Sequence, residues 1–364
     1  MGDAVSWILR VSVVVALAAV LACVPACGKK DTGKIKIGVV TNCTAEFWTI
    51  CEAGATKAAE EHNVELLFRQ PEKMDASVQM PIVDAFIKQG AKGIAVSVID
   101  PEGQTKALAL IAGKVPLITM DNDADQSGRL CYIGIDNYEA GKAAGRLVKK
   151  AIPNGGTVGV FIGSVTSANG RARTQGVLDE LAGQKDAPGV EAAHPQKPDL
   201  KGKTYGNYFL VDGEAKTDGG SSDAAYKNAA GVLGRAKSLP DLCMVGLYAY
   251  NPPAILKAAK ELSLVGKAKI VAFDEDWDTL KAIAAGEIEG TVVQDPFMYG
   301  YKSVEVLAAK ARGDDSKMVK EAIRYRIVTK DGVADEKVAP KEIEFKKVAD
   351  FEDKLRADLA SVKK

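Results

Sequence analysis

Short apolar runs alternate with amphipathic stretches along nearly all of this chain from residue 35 onward, and that rhythm narrows its possible folds more than any other feature. Residues 35–40 predict an apolar strand. Apolar and small residues then recur at helical spacing over 46–62, and 64–68 predicts another strand. A helix over 78–89 stops at Gly90, a strand covers 93–98, and a helix over 101–112 has proline at its start and glycine past its end. Strands follow over 117–120 and 130–133. The rhythm then restarts, with helices over 139–150, 171–181, 224–237, 253–262, 277–285 and 296–311, and a last one over 351–362. Strands lie between them over 157–162, 205–211, 243–248, 269–273, 291–294 and 324–328. Residues 184–206 carry Pro188, Pro195, Pro198 and several lysines, which predicts an exposed insertion. Strands followed by helices in this order build βαβ units around mainly parallel sheets. The chain is too long for one core, so the expected fold is α/β, with two doubly wound parallel-sheet domains.

The beginning obeys a different rule. Residues 11–22 carry no charge, and small residues then lead to Cys27, which Gly28, Lys29 and Lys30 follow. The pattern resembles a bacterial lipoprotein signal, cut before a cysteine that then carries lipid. On that reading 1–26 is a signal peptide, Cys27 is the lipidation site and 27–34 is a spacer. The remainder works in the periplasm or at the cell surface. A cleaved secretory signal, or an uncleaved anchor over 7–27 with Arg10 snorkelling, stays open at this point. All three export the body of the chain.

Bulk composition removes several function classes. Lys and Arg number 48 and Asp and Glu 48, so no basic field points to nucleic acid. The two histidines, His62 and His194, have no histidine or cysteine at metal-ligand spacing. Cys43, Cys51, Cys131 and Cys243 are scattered rather than arranged as a disulfide framework, and Cys131 and Cys243 sit in apolar runs that suit buried thiols. Gly202-Lys203-Thr204 ends like a phosphate-binding loop, but Lys197 stands where that loop needs glycine. No nucleophile elbow, zinc-protease helix or dinucleotide fingerprint occurs. An enzyme is not expected, nor a metal or a cofactor.

The residues just past the carboxyl ends of the strands are more informative, because open α/β sheets bind ligands there. They include Phe47 and Trp48 after the first strand, Asp121 and Asn122 after 117–120, and Arg173 beyond 157–162. Asn251 follows 243–248, Asp274 follows 269–273, and Gln294 closes 291–294. Carboxylates accept from hydroxyls, arginine donates in a fixed fork, and an aromatic face covers the C–H side of a sugar ring. This is an inventory for gripping a neutral polyol. Taken singly, Trp48 also reads as a helix cover, Asp121 as a turn cap, and Arg173 as a surface partner of Asp179 or Glu180.

The order and spacing of Ile37-Gly-Val-Val40 with Phe47-Trp48, Gly90-Ala-Lys-Gly-Ile-Ala-Val-Ser97 and Val115-Pro-Leu-Ile-Thr-Met-Asp121 belong to a known pattern. So do Tyr132-Ile-Gly-Ile-Asp-Asn-Tyr-Glu-Ala-Gly141, Asn169-Gly-Arg171-Ala-Arg173-Thr-Gln-Gly176, Val271-Ala-Phe-Asp274 and Gln294-Asp-Pro296. From about 34 to 312 the chain resembles the ribose/galactose type of periplasmic binding protein, the sugar-binding component of bacterial ABC importers. The resemblance implies two lobes, 35–136 plus 295–325 and 137–294 plus 326–364, joined by a three-strand hinge that closes on a monosaccharide. Phe47 and Trp48 would sandwich its ring, while Asp121, Asn122, Arg173 (or Arg171), Asn251, Asp274 and Gln294 would hold its hydroxyls. It further implies a monomer, partnered by a membrane permease. Two departures put the identity of the sugar in question: Asn122 stands where the ribose type has arginine, and Ala45 where it has asparagine. Two readings of other kinds share the fold, a receptor-docking sensor for a nucleoside or signalling molecule and a repressor of the lactose type. The repressor needs a helix-turn-helix ahead of residue 35, where this chain has an apolar run.

Overall fold

The computed structural model describes residues 33–335. Cys27, the signal over 1–26 and the helix expected over 351–362 lie outside the described residues. The chain enters a five-stranded parallel sheet through β1 (Lys36–Val40), α1 (Glu46–Glu61), β2 (Glu65–Arg69), α2 (Ala76–Lys88) and β3 (Ala91–Val96). It continues through α3 (Pro101–Ala112), β4 (Leu117–Met120) and β5 (Tyr132–Ile133). The strand order is β2-β1-β3-β4-β5. Strands buried on both faces read as unbroken apolar runs, which is why β4 (Leu-Ile-Thr-Met) is buried at every position.

The second sheet repeats the plan. Its elements are α4 (Asn137–Ala151), β6 (Gly156–Ile162), α5 (Ala168–Ala182), β7 (Val190–His194), β8 (Lys197–Tyr205), β9 (Tyr208–Val211) and β10 (Lys216–Thr217). Then come α6 (Ser222–Ala236), β11 (Leu242–Gly246), α7 (Asn251–Glu261), β12 (Ala268–Phe273), α8 (Trp277–Ala285), β13 (Gly290–Val293), α9 (Pro296–Lys310), β14 (Arg326–Thr329) and β15 (Gly332–Asp335). Short β9 and β10 together flank β6, and β6, β11, β12 and β13 run parallel beside one another. Both parallel cores therefore have the doubly wound order 2-1-3-4-5. The fold expected from the alternation of strands and helices is the one observed. Helix starts are set by local chemistry: Asp75, Asp136, Asp276 and Asp295 each accept backbone N–H groups in the first turn of the helix that follows.

Three expectations need correction. The segment 184–206, expected as an exposed insertion without strands, is largely exposed but ordered: β7 and β8 form an antiparallel hairpin that extends the sheet beyond β9. The hairpin's lysines and Pro198 read as loop, yet they lie on β8 between β7 and β9. Lys197, Lys201 and Lys203 alternate along the strand, and Pro198 falls in the irregularity between the pairings of Lys197 and Lys201, where no ladder donor is needed. The single strand expected over 205–211 is broken by a turn at Gly206, whose φ of 58° favours glycine. The strand expected over 130–133 shrinks to the two residues of β5.

The chain passes between the two sheets three times. After β5 it crosses to α4, which packs on β11, β12 and β13; after β13 it returns to α9, which packs on α1, β1 and β3; and β14 then pairs with β13. Each sheet carries one tight helix pair. Gly54 and Gly300 let α1 and α9 meet backbone to backbone, and Gly141 and Gly176 do the same for α4 and α5. Among the described residues no helix is long and apolar enough to cross a membrane, and Cys43, Cys51, Cys131 and Cys243 are free thiols.

Candidate binding site between the two sheets

Both sheets end in an aspartate after their fourth strand. Asp121 follows β4 and Asp274 follows β12, with φ of 60° and 68°, in the left-handed region that Asp tolerates better than most residues. Each backbone N–H extends the ladder one step past the strand, donating to Ile133 (3.0 Å) and to Val292 (2.8 Å) respectively. A hydroxyl from the fifth strand secures each carbonyl: Tyr132 donates to Asp121 O and Thr291 to Asp274 O, both at 2.7 Å. The backbone thus fixes both carboxylates before any ligand arrives.

Between them lies Arg173, on α5 where Gly141 lets α4 approach, and only 1% exposed. Its Nε donates to Asn137 Oδ1 (2.8 Å) and its Nη1 to the Leu247 carbonyl (2.9 Å). The guanidinium stacks on Phe273, 4.1 Å from the ring centre. Its Nη2 lies 3.8 Å from Asp121 Oδ1 and makes no hydrogen bond. Asp121 Oδ2 accepts from Ser97 (3.1 Å). Asp274 Oδ1 accepts from Gln294 Nε2 (2.6 Å), and Gln294 Oε1 accepts from Tyr299 (2.8 Å). Burial pushes the Asp121 carboxyl up to about 6, with Arg173 pulling it down and Asp274 pushing it further up. Burial raises Asp274 as well, against Arg173 and Gln294. This is a buried centre in which two carboxylates face one guanidinium that still has a donor to give.

Other expected residues are committed to the frame. Asn122 donates to the Val98 carbonyl and accepts from Asn169 N–H (3.0 Å), which ties the loop after β4 to the start of α5. Asn251 accepts from Tyr248 N–H (3.1 Å) and donates to Asp218 (2.8 Å). Trp48 donates its indole N–H to Asn42 (2.9 Å). Phe47 and Trp48 meet edge to face, with ring centres 4.8 Å apart and planes at 87°. Neighbours on a helix point about 100° apart, so this pair cannot enclose a ring as a sandwich and offers at most one aromatic face. Arg171 is exposed and donates to the carbonyls of Thr166 (2.6 Å) and Val165 (3.2 Å), away from the centre. Arg173, for its part, is no surface partner of Asp179, which instead accepts from Tyr138, Gln175 and the Asp186 and Ala187 backbone.

A cavity of about 610 Å³ opens between the sheets, lined among others by Glu46, Phe47, Lys73, Gly220, Tyr250 and Glu275. Of the eight residues expected at the site, Phe47 borders this cavity; the other seven do not line it and are at most 5% exposed, with Asp274 the chain neighbour of the lining Glu275. Sequence reasoning passed over Ser97, Asn137, Tyr248 and Glu275. Ser97 sits directly after β3, so the strand-end rule could have found it, and Glu275 follows Asp274 in the chain. Tyr248, bonded to Ser167 (2.7 Å) and Asn169 (2.8 Å), looked like part of a strand.

The profile of the family described as periplasmic binding protein domain matches residues 37–315. The chain belongs to that family. Its members bind and deliver rather than catalyse. The ribose import binding protein RbsB of Salmonella typhimurium is 25% identical over 289 residues, covering 78% of this chain and 86% of that protein. The fructose import binding protein FruE of Bifidobacterium longum is 24% identical over 311 residues, covering 80% and 86%. Among solved structures, an ABC transporter solute-binding protein of Burkholderia graminis in complex with D-arabinose superposes with a TM-score of 0.70. It is 25% identical and covers 82% of this chain and 96% of its own. GanP, a glucose-galactose binding protein of Geobacillus stearothermophilus, shares the fold with a TM-score of 0.70 at 23% identity, covering 84% and 99%.

Proposed function

We propose that this chain is the extracytoplasmic sugar-binding component of an ABC importer, which encloses a monosaccharide and hands it to a membrane permease. The observation that carries the reading is the meeting of Asp121, Arg173 and Asp274, from the carboxyl ends of two like-wound sheets, around an unfilled arginine donor. A hydroxyl can accept from Arg173 Nη2 while donating to a carboxylate, which suits a neutral polyol. Membership of the periplasmic binding family and kinship to ribose and fructose import binding proteins support the same class of ligand.

In this reading the lobes are 35–136 with 295–325 and 137–294 with 326–364. They rotate about the crossings near Asp136–Asn137, 294–295 and Tyr325. Closure draws its free energy from contacts that the ligand makes better in the closed state. Phe47 supplies one aromatic face, Asp121, Arg173, Asp274 and Gln294 the polar contacts, and Asn122, Asn251 and Trp48 hold these groups in place. The protein works as a monomer, held at the membrane by lipid on Cys27.

A thermal-shift series over pentoses, hexoses and inositols tests the ligand class. One sugar should raise the melting temperature by several degrees at saturating concentration. No response to any sugar, with a response to nucleosides, would overturn the reading. For the anchor, wild-type chain should fractionate with membranes and Cys27→Ser should become soluble.

A further inference from the structure

This inference rests on the sugar reading and narrows it. Asp121, Asp274 and Glu275 are buried carboxyl groups, none more than 5% exposed, and among the described residues Arg173 is the one buried cationic side chain beside them. Glu275 is the member without a use so far. It lines the cavity between the sheets, and its Oε2 is shut off from water with no hydrogen-bonding partner. The cation that acts on it, Arg326, donates to the Gln294 carbonyl (3.1 Å) and lies 3.8 Å from Asp295. Glu46 and Asp276 add negative charge to the same cavity wall, where Lys73 is the basic residue.

The Glu275 carboxyl takes one hydrogen bond from its own backbone N–H, and a buried carboxyl oxygen left without any, as Oε2 is, is a standing cost that native structures seldom keep without a reason. Burial and the neighbouring Asp274 push the Glu275 carboxyl well above its ordinary range, against the pull of Arg326, so its ionised form needs a cation beside it, which a hydroxyl does not bring. An ammonium group brings three N–H donors and one positive charge together. Among the described residues no group of three or more His, Cys, Asp or Glu side chains could hold a metal ion, so the geometry favours an organic cation. We propose that the cleft selects an aminated sugar, with its ammonium group received by Glu275 and its hydroxyls by Asp121, Arg173 and Asp274.

Calorimetric titration of the full chain with glucose, galactose and mannose, each beside its 2-amino and N-acetylated counterpart, tests this. At least one amino sugar should bind about tenfold or more tightly than both its neutral and its acetylated partner. Glu275→Gln should bring amine and neutral sugar to within about twofold of each other. A neutral or acetylated sugar that binds as tightly as its amine in every set overturns the proposal and leaves the sugar reading standing, as does an amine preference that survives Glu275→Gln. Binding by none of these sugars, nor by the pentoses and inositols of the thermal series, brings down the sugar reading first and this one with it. The wild-type comparison decides the matter even if the variant fails to fold.

Discussion

Asp121 and Asp274 hold the same station in the two halves of the molecule, yet their carboxylates are used differently. Each follows the fourth strand of a 2-1-3-4-5 sheet, has a positive φ, and has its carbonyl bound by a hydroxyl from the fifth strand. Asp274 then takes a 2.6 Å bond from Gln294, which Tyr299 holds in turn. Asp121 takes a longer bond, 3.1 Å from Ser97, and faces Arg173 at 3.8 Å without a hydrogen bond between them. Winding fixes where a carboxylate can stand. The residues on adjoining strands decide how much of its bonding capacity remains for a ligand.

The harshest way to break the comparison is to remove the residue that both halves share. Arg173→Ala should destabilise the protein by about 3–5 kcal/mol in urea denaturation, because it strands buried carboxylates and orphans the Leu247 carbonyl. Arg171→Ala, on the exposed side of the same helix, should stay within about 0.5 kcal/mol. If the two changes cost the same, Arg173 is not the hub of the centre.

Next in size are the aspartates themselves. Asp121→Ala should weaken sugar binding by about 2–5 kcal/mol in calorimetry, since it leaves ligand hydroxyls unpaired in a buried site. Asp274→Ala should fall in the same range and in addition free Gln294 Nε2. Undiminished affinity in either variant would remove that residue from the site, and a loss in one alone would show that the equivalence is only topological.

Acidity separates the pair more finely. The native Asp121 carboxyl titrates near 6, above its ordinary value, so the folded state holds this proton more tightly than the unfolded chain. Its contribution to stability is therefore least favourable above about pH 6 and improves as pH falls toward 4. Binding should move the opposite way. A ligand hydroxyl donates to the ionised form, so affinity should drop by up to about tenfold per pH unit below 6, or about 1.4 kcal/mol. Asp121→Asn should bind more weakly and flatten this pH dependence, keeping only the part that the raised Asp274 carboxyl supplies. A wild-type affinity that stays flat between pH 7 and 5 would mean that the ligand does not need the Asp121 carboxylate.

The same comparison shows what was legible in the chain. Apolar runs mark the strands, and strand ends mark where chemistry gathers, so the order of residues alone picks out Asp121, Arg173, Asp274 and Gln294. What a side chain does with its last free atom could not be read. Asn122 and Asn251 look like ligand donors in sequence, but their amides are taken up by backbone groups and Asp218, partners 24 to 47 residues away for the first and as far as 33 for the second. Glu275 sits between two aspartates, which reads as solvated loop until two sheets fold over it. The 190–205 hairpin was hidden because β8 carries lysines on a largely exposed strand and Pro198 at a break in its pairing, a composition that reads as loop.

The smallest expected effect lies at the rim, where the halves touch through Trp277 and Glu46. Trp277 begins α8 beside the second sheet and donates its indole N–H to Glu46 Oε1 (2.7 Å) at the start of α1 beside the first. The bond is exposed, so its net worth is at the low end of about 0.5–1.5 kcal/mol. Phenylalanine would keep an aromatic ring against Ile50, Leu280, Val293 and Val328 while removing the donor together with part of the indole. If this bond belongs to the closed state, Trp277→Phe should weaken sugar binding by about two- to fivefold, mostly through faster release. The ligand-free protein, which loses only the outer part of one half-buried ring, should melt within a few degrees of wild type. Equal release rates for wild type and variant would mean that the halves are held together at the buried centre alone, with the rim following passively.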